Sequence, residues 1–177
     1  MKRYKQTEID SLANILKQDG VISVPTDTVY GVCARIQSQK AFEKLVEIKN
    51  RPANKSFPVM CLNENQIKSI AIVNTNAEKI IRSFMPGPIT IVLKKKKEAF
   101  SYINNAGERE SDELAVRIAP LKVLEKLIEK TFPKLDAILE GEVSFGEAST
   151  IVDCTTDEIK IQRQGPISLE DIMKKIK

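Results

Sequence analysis

Apolar residues recur at helical spacing from Thr7 to Lys17, where Ile9, Leu12, Ala13 and Leu16 share one face and Gly20 marks a stop. The run VISV (21–24) that follows reads as a buried strand, and a helix-like pattern is expected to leave the loop behind it. Ala41, Phe42, Leu45, Val46 and Ile48 predict a second amphipathic helix, closed near Pro52. PVMCL at 58–62 predicts a strand, and Ala77, Ile80, Ile81 and Phe84 a third helix. MPGP at 85–88 breaks that helix before the strand ITIVL at 89–93. LAVRI at 114–118 is another strand, and Leu121, Leu124, Leu127 and Ile128 give a fourth helix. DAILE, STIVDC and IKIQRQ supply short strands, and the tail SLEDIMKKIK a helix with Ser168 as cap and Asp171 three residues on. Helices alternate with strands, with no repeat and no Pro/Gly/Ser linker. The expectation is one α/β domain over 1–177, a twisted, mostly mixed β-sheet flanked by helices. This pattern does not give the order of the strands.

Composition narrows the class. The chain has 177 residues, 42% hydrophobic and 29% charged, which suits a soluble globular domain able to bury a core. The longest apolar runs are strand-length, so no membrane helix is expected, and MKRYKQTEID lacks the apolar centre of a signal peptide. Cys33, Cys61 and Cys154 are odd in number and far apart, as for reduced thiols in a cytoplasm. The sequence has no histidine, which removes Ser-His-Asp and Cys-His chemistry and histidine metal sites together. Net charge is +4, compatible with phosphate-bearing partners, and KKKK at 94–97 is either a solvated strand end or an RNA-phosphate contact.

Candidate chemistry begins at VPTDTVYGV (24–32). A turn needs the proline and the glycine, but not Thr26, Thr28 or Tyr30, whose hydroxyls point to a binding site. There is no G-x-x-x-x-G-K-[ST] loop and no G-x-G-x-x-G after a strand, so an anion site has to use side chains. IKNRPANKS (48–56) clusters Lys49, Arg51 and Lys55 at a helix end. These cations either complement the helix dipole or, from an extended KNRP, reach a phosphate or carboxylate. Arg117 interrupts a strand that should be buried, so it needs an ion-pair partner or an anionic ligand. Ser149 and Thr150 open STIVDC, and Arg163 with Gly165 sits in IQRQGPI; both lie at strand–loop junctions, where α/β sheets place ligands.

The ordered set PTDTVYG, KNRP, PGPITIVL, LAVRIAP, STIVD and RQGPI resembles the YrdC-like threonylcarbamoyl-AMP synthases from about Gly20 to Ile167. The resemblance implies a twisted α/β sheet around a concave, basic cleft. It also implies condensation of L-threonine, bicarbonate and ATP into threonylcarbamoyl-AMP with release of pyrophosphate, feeding t6A modification of tRNA and the transfer machinery downstream. Thr26 and Thr28 would hold threonine, with Tyr30 shaping the pocket. Lys49 and Arg51 would act on the ATP phosphates as the catalytic pair, with Lys55 also on the nucleotide. Thr90 would line the cleft, Arg117 would meet a carboxylate or phosphate, and Ser149 and Arg163 would close over substrate and nucleotide. Magnesium would arrive with ATP, with no all-protein metal site. Contact with tRNA or double-stranded RNA is a further implied partner, and a membrane is not.

One family block is absent. LEKLIEKTFPKLDAILEG runs from the fourth helix directly to DAILE, where the family has a strand ending in a Ser-Ala-Asn-type motif and a short helix. That motif contacts nucleotide, so the enzyme reading is conditional on it. The sequence as written omits a segment near 128–132, or the chain carries a deletion, or it is a shortened relative that binds nucleotide or RNA without making adenylate. The clean resumption of the pattern on both sides favours omission.

Overall fold

The computed structural model describes residues 2–50, 57–99, 112–118, 137–140 and 146–177. The α/β class and the mixed pairing of strands follow the sequence expectation, and among the described residues the strands fall into a four-stranded and a six-stranded sheet. The chain correspondingly resolves into two compact units, Met1–Pro52 with Leu121–Gly146, and Ala53–Pro120 with Glu147–Lys177. The fourth helix and the join near 128–132 lie outside the described residues.

In the first unit the sheet runs β1 (Lys2–Tyr4), β8 (Ala137–Leu139), β2 (Val21–Val24), β3 (Gly31–Ala34). β8 pairs parallel with both neighbours, and β2 and β3 form an antiparallel hairpin. Helix α1 (Ile9–Lys17) follows a short 3-10 turn and packs on β2 and β8, while α2 (Gln39–Lys49) packs on β3 and β2. Tyr4, Leu12 and Ile22 form a buried cluster with Ile15, Leu16, Val24 and Cys33 against it. The stop after α1 is steric as well as conformational. Asp19 sits at φ 60°, and a Cβ on Gly20 would fall 2.3 Å from Ile15 Cγ2 and 2.7 Å from its carbonyl oxygen. The helix expected after the PTDTVYG loop is instead β3: Gly31 pairs with Val24 and Ala34 with Val21, and cross-strand pairing overrides the weak helical pattern of GVCA.

In the second unit the order is β10 (Lys160–Arg163), β9 (Thr150–Asp153), β6 (Ile89–Lys95), β7 (Glu113–Arg117), β4 (Val59–Met60), with β5 (Ala71–Ile72) also on β6. β9–β6 and β7–β4 are parallel; β10–β9, β6–β7 and β5–β6 are antiparallel. Helices α3 (Glu64–Ile70), α4 (Thr75–Phe84) and α5 (Leu169–Ile176) belong to this unit, and α4 packs on α5. Ile80, Ile89, Ile91, Leu93, Val116, Val152 and Ile172 are buried. Their side chains remove apolar surface from water, the main force holding this unit. The Ser168–Asp171 capping box is present as the sequence predicts: Ser168 accepts from the Asp171 amide and Asp171 from that of Ser168. KKKK lies at the end of β6, with Lys94 and Lys97 exposed and Lys95 and Lys96 half-buried.

Candidate functional site

The first unit presents the hairpin loop at residues 25–30. Thr26, Asp27 and Thr28 are 6%, 3% and 1% exposed, an unusual density of buried polar groups for a turn. The Thr26 hydroxyl organises it. Its proton goes to the Val29 carbonyl at 2.6 Å, and its oxygen accepts from the amides of Thr28 and Val29, both at 3.2 Å. The Thr28 hydroxyl lies 3.1 Å away. Thr26 therefore builds the loop. Tyr30 is half-buried at the mouth of β3.

Lys49 is the last residue of α2, and Asn50 turns the chain away at φ 42°, ψ 46°. The helix is fixed at its start by Ser38, whose hydroxyl accepts from the Ala41 amide. Lys49 also lies close enough to Cys33 on β3 to act on it. Burial pushes the Cys33 thiol up to about 11, and the Lys49 ammonium pulls the other way. Arg51 and Lys55 lie outside the described residues.

The second unit gathers Thr90, Ser149 and Arg163. Thr90 and Ser149 are 1% and 5% exposed, and their hydroxyl oxygens stand 3.0 Å apart, β6 and β9 being parallel neighbours. Arg163, from the end of β10, forks onto Ser149. Its Nε and Nη2 donate to the Ser149 carbonyl at 3.0 and 2.8 Å, and Nη2 reaches the Ser149 Oγ at 3.3 Å. The partners of this guanidinium are neutral, and no carboxylate pairs with it among the described residues. Arg163 is exposed, and these bonds orient its charge. The hydroxyl pair has two protons and only one is used between the oxygens, so the other faces no acceptor among the described residues. A directed cation beside a spare buried hydroxyl proton is an arrangement able to accept hydrogen-bonding oxygens of a carboxylate or phosphate.

Arg117 is 6% exposed on β7, and its Nε donates to the Gly87 carbonyl at 3.2 Å. The interrupted strand thus anchors the PGP turn, as the Gly87 amide donates in return to Ile118. Two contributors escape sequence reading. The Gly87 carbonyl is 30 residues from Arg117 and leaves no local signal. Thr150 reads as turn chemistry, yet it is fully buried and hydrogen-bonded to the segment 165–167. A cavity of about 330 Å³ in this unit, lined by Ile72, Asn74, Lys94 and the turn 154–157, includes none of the candidate residues.

The family model for Sua5, YciO and YrdC proteins, described as "Telomere recombination", matches residues 14–133. The chain belongs to this family. A relative from Methanocaldococcus jannaschii, named a putative threonylcarbamoyl-AMP synthase, is 31% identical over 176 residues, spanning 87% of this chain and 84% of the relative. The threonylcarbamoyl-AMP synthase of Pyrococcus abyssi is 26% identical over 204 positions, spanning 99% of this chain and 59% of that enzyme. With 99% of the 177 residues in that alignment, about 29 of its positions have no counterpart here. A solved double variant of P. abyssi Sua5 superposes with a TM-score of 0.86 at 26% identity, covering 99% of this chain and 60% of that one. The chain spans about three-fifths of the Pyrococcus protein's length. Homologues in this family thus include proteins named as threonylcarbamoyl-AMP synthases.

Among the described residues no helix is long and apolar enough to cross a membrane.

Proposed function

We propose that the chain is a threonylcarbamoyl-AMP synthase, condensing L-threonine, bicarbonate and ATP into threonylcarbamoyl-AMP and pyrophosphate for t6A modification of tRNA in the cytoplasm. The observation that carries this reading is the Arg163–Ser149–Thr90 cluster, a guanidinium held by neutral groups beside a spare hydroxyl proton. Such a cluster suits anionic substrates, and all three substrates carry negative charge. Family membership and the names of the relatives point to the same chemistry. Threonine as a substrate is supported by a Pyrococcus Sua5 structure in complex with L-threonine, which shares the fold at a TM-score of 0.83 and 24% identity, over 98% of this chain and 59% of that one.

The threonine amine and bicarbonate form a carbamate with loss of water. A carbamate oxygen then attacks the α-phosphorus of ATP, the bond from that phosphorus to the bridging oxygen breaks, and pyrophosphate leaves with its magnesium. The step asks for alignment and for cations on the departing phosphates, and it asks for no titrating base. A chain without histidine suits it. Thr28 and Tyr30 address the amino acid from a loop that Thr26 shapes. Lys49 and Arg51 stabilise the leaving phosphates with Lys55 on the nucleotide, and Arg163 orients the nucleotide. Ser149 and Thr90 hold a substrate oxygen, and Arg117 keeps the PGP turn in place while its charge favours a carboxylate or phosphate nearby. The product passes to the enzymes that transfer the group to tRNA.

The test supplies magnesium, ATP, threonine and bicarbonate and follows pyrophosphate. Release that depends on both threonine and bicarbonate supports the enzyme. Salt-sensitive tRNA binding with no pyrophosphate overturns it in favour of a shortened, non-catalytic RNA-binding homologue.

A further inference from the structure

The Thr150 hydroxyl is fully buried and saturated. It donates to the Ile167 carbonyl at 2.7 Å and accepts from the amides of Gly165 at 3.1 Å and Ile167 at 3.0 Å. One donor and two acceptor sites are all a hydroxyl has. On its own backbone, the Thr150 amide donates to the Pro88 carbonyl at 3.0 Å. One residue therefore joins the start of β9, the PGP turn and the RQGPI turn. The turn is pressed flat against β9: a Cβ on Gly165 would stand 2.4 Å from the Ala148 carbonyl oxygen and 2.5 Å from the Thr150 nitrogen. Gln164 closes it from outside, donating to the carbonyls of Gly165 and Ile167.

Arg163 opens this turn and Ser149 immediately precedes Thr150. The pairing of β10 with β9 is irregular between Ile161 and Arg163, so the regular ladder does not by itself fix the direction of Arg163. We propose that Thr150 is a positioning residue that aims the Arg163 guanidinium and the Ser149 hydroxyl by latching the RQGPI turn to the start of β9. It touches no substrate and acts through the two residues beside it. The kinetic consequences rest on the function proposed above, but the geometry does not.

The test compares Thr150→Val, which keeps the branched shape and removes the hydroxyl, with Thr150→Ser, which restores it. By NMR, the Arg163 Nε–H signal should be protected from exchange in the parent protein by its bond to the Ser149 carbonyl, should broaden or shift toward solvent values in Thr150→Val, and should return in Thr150→Ser. In the parent protein the Gly165 and Ile167 amides should exchange at least about tenfold more slowly than unprotected amides. Unprotected rates there overturn the latch even if Thr150→Val does not fold. In pyrophosphate assays Thr150→Val should raise the KM for ATP several-fold, no further than Arg163→Gln does, and should add no more than about twofold in an Arg163→Gln background. Equal penalties in both backgrounds, or an unmoved Arg163 signal, overturn the proposal. If the parent protein releases no pyrophosphate the proposed function fails, and the NMR measurements still decide the latch.

Discussion

Replacing Arg163 with glutamine separates its charge from its role as a hydrogen-bond donor. The guanidinium makes three contacts, all to Ser149, and two of them satisfy a carbonyl at a residue only 5% exposed. A glutamine amide can still donate to that carbonyl, so Arg163→Gln should cost the fold no more than about 1 kcal/mol. What the variant cannot supply is a charge for an anion. A charge-assisted hydrogen bond contributes about 1.5–3 kcal/mol, which is about 10- to 150-fold in affinity. With pyrophosphate release measured across ATP concentrations, the KM for ATP should therefore rise by about that factor while the urea midpoint moves little. The salt dependence of KM should weaken as well, because one fewer cation meets the triphosphate. A KM within twofold of the parent value, with the fold intact, would refute the reasoning, since the oriented and unneutralised charge would then serve no ligand.

Lys49→Met should lower turnover by at least about 100-fold if its ammonium stabilises the leaving phosphates. The same change should slow alkylation of Cys33 at alkaline pH, because the ammonium that opposes the burial-raised pKa of about 11 is gone. Gly165→Ala should destabilise the protein by about 3 kcal/mol in urea titration, since the new Cβ meets backbone atoms at 2.4 and 2.5 Å rather than a movable side chain. Hydrogen bonds from Arg82 and then Lys68 hold the Glu64 carboxyl at about 2, below its usual 4.5. A depressed carboxyl stabilises above its unfolded value and loses that contribution as pH falls through the folded one. The urea midpoint of Glu64→Gln should therefore fall less than that of the parent between about pH 5 and about pH 2.

What was legible in the sequence had local causes. The Ser168–Asp171 cap, the MPGP break and the buried VISV and ITIVL strands are each written within a few residues of where they act. Helix α3 was not legible, because ENQIKSI buries only Ile67 and so shows no apolar face, its start being set by the Asn63 side chain accepting from Gln66. Nor was the division of the described strands into two sheets, since β1 pairs with β8 across more than a hundred residues and no local pattern encodes that choice. The site shows the same split. Arg117 stood out as a charge inside a buried strand, but its Gly87 partner lies 30 residues back. Thr26 and Thr28 stood out as surplus hydroxyls, yet which one the loop uses for itself depends on where the Val29 carbonyl points.

Two arginines of the second unit show why partner chemistry, rather than residue type, marks a candidate anion site. Arg82 meets the carboxylates of Glu64 and Glu78, and Lys68 shares both, so these cations lie within an exposed charge network that ties α3 to α4. An anion arriving there competes with carboxylates already in place. Arg163, also exposed, is bonded instead by a carbonyl and a hydroxyl, which orient its guanidinium without neutralising it. Neutral donors and acceptors that fix a charge in advance lower the cost of ordering it when a ligand binds. On these grounds an anion is expected to gain more at Arg163 than at Arg82, although both carry the same group on the same unit.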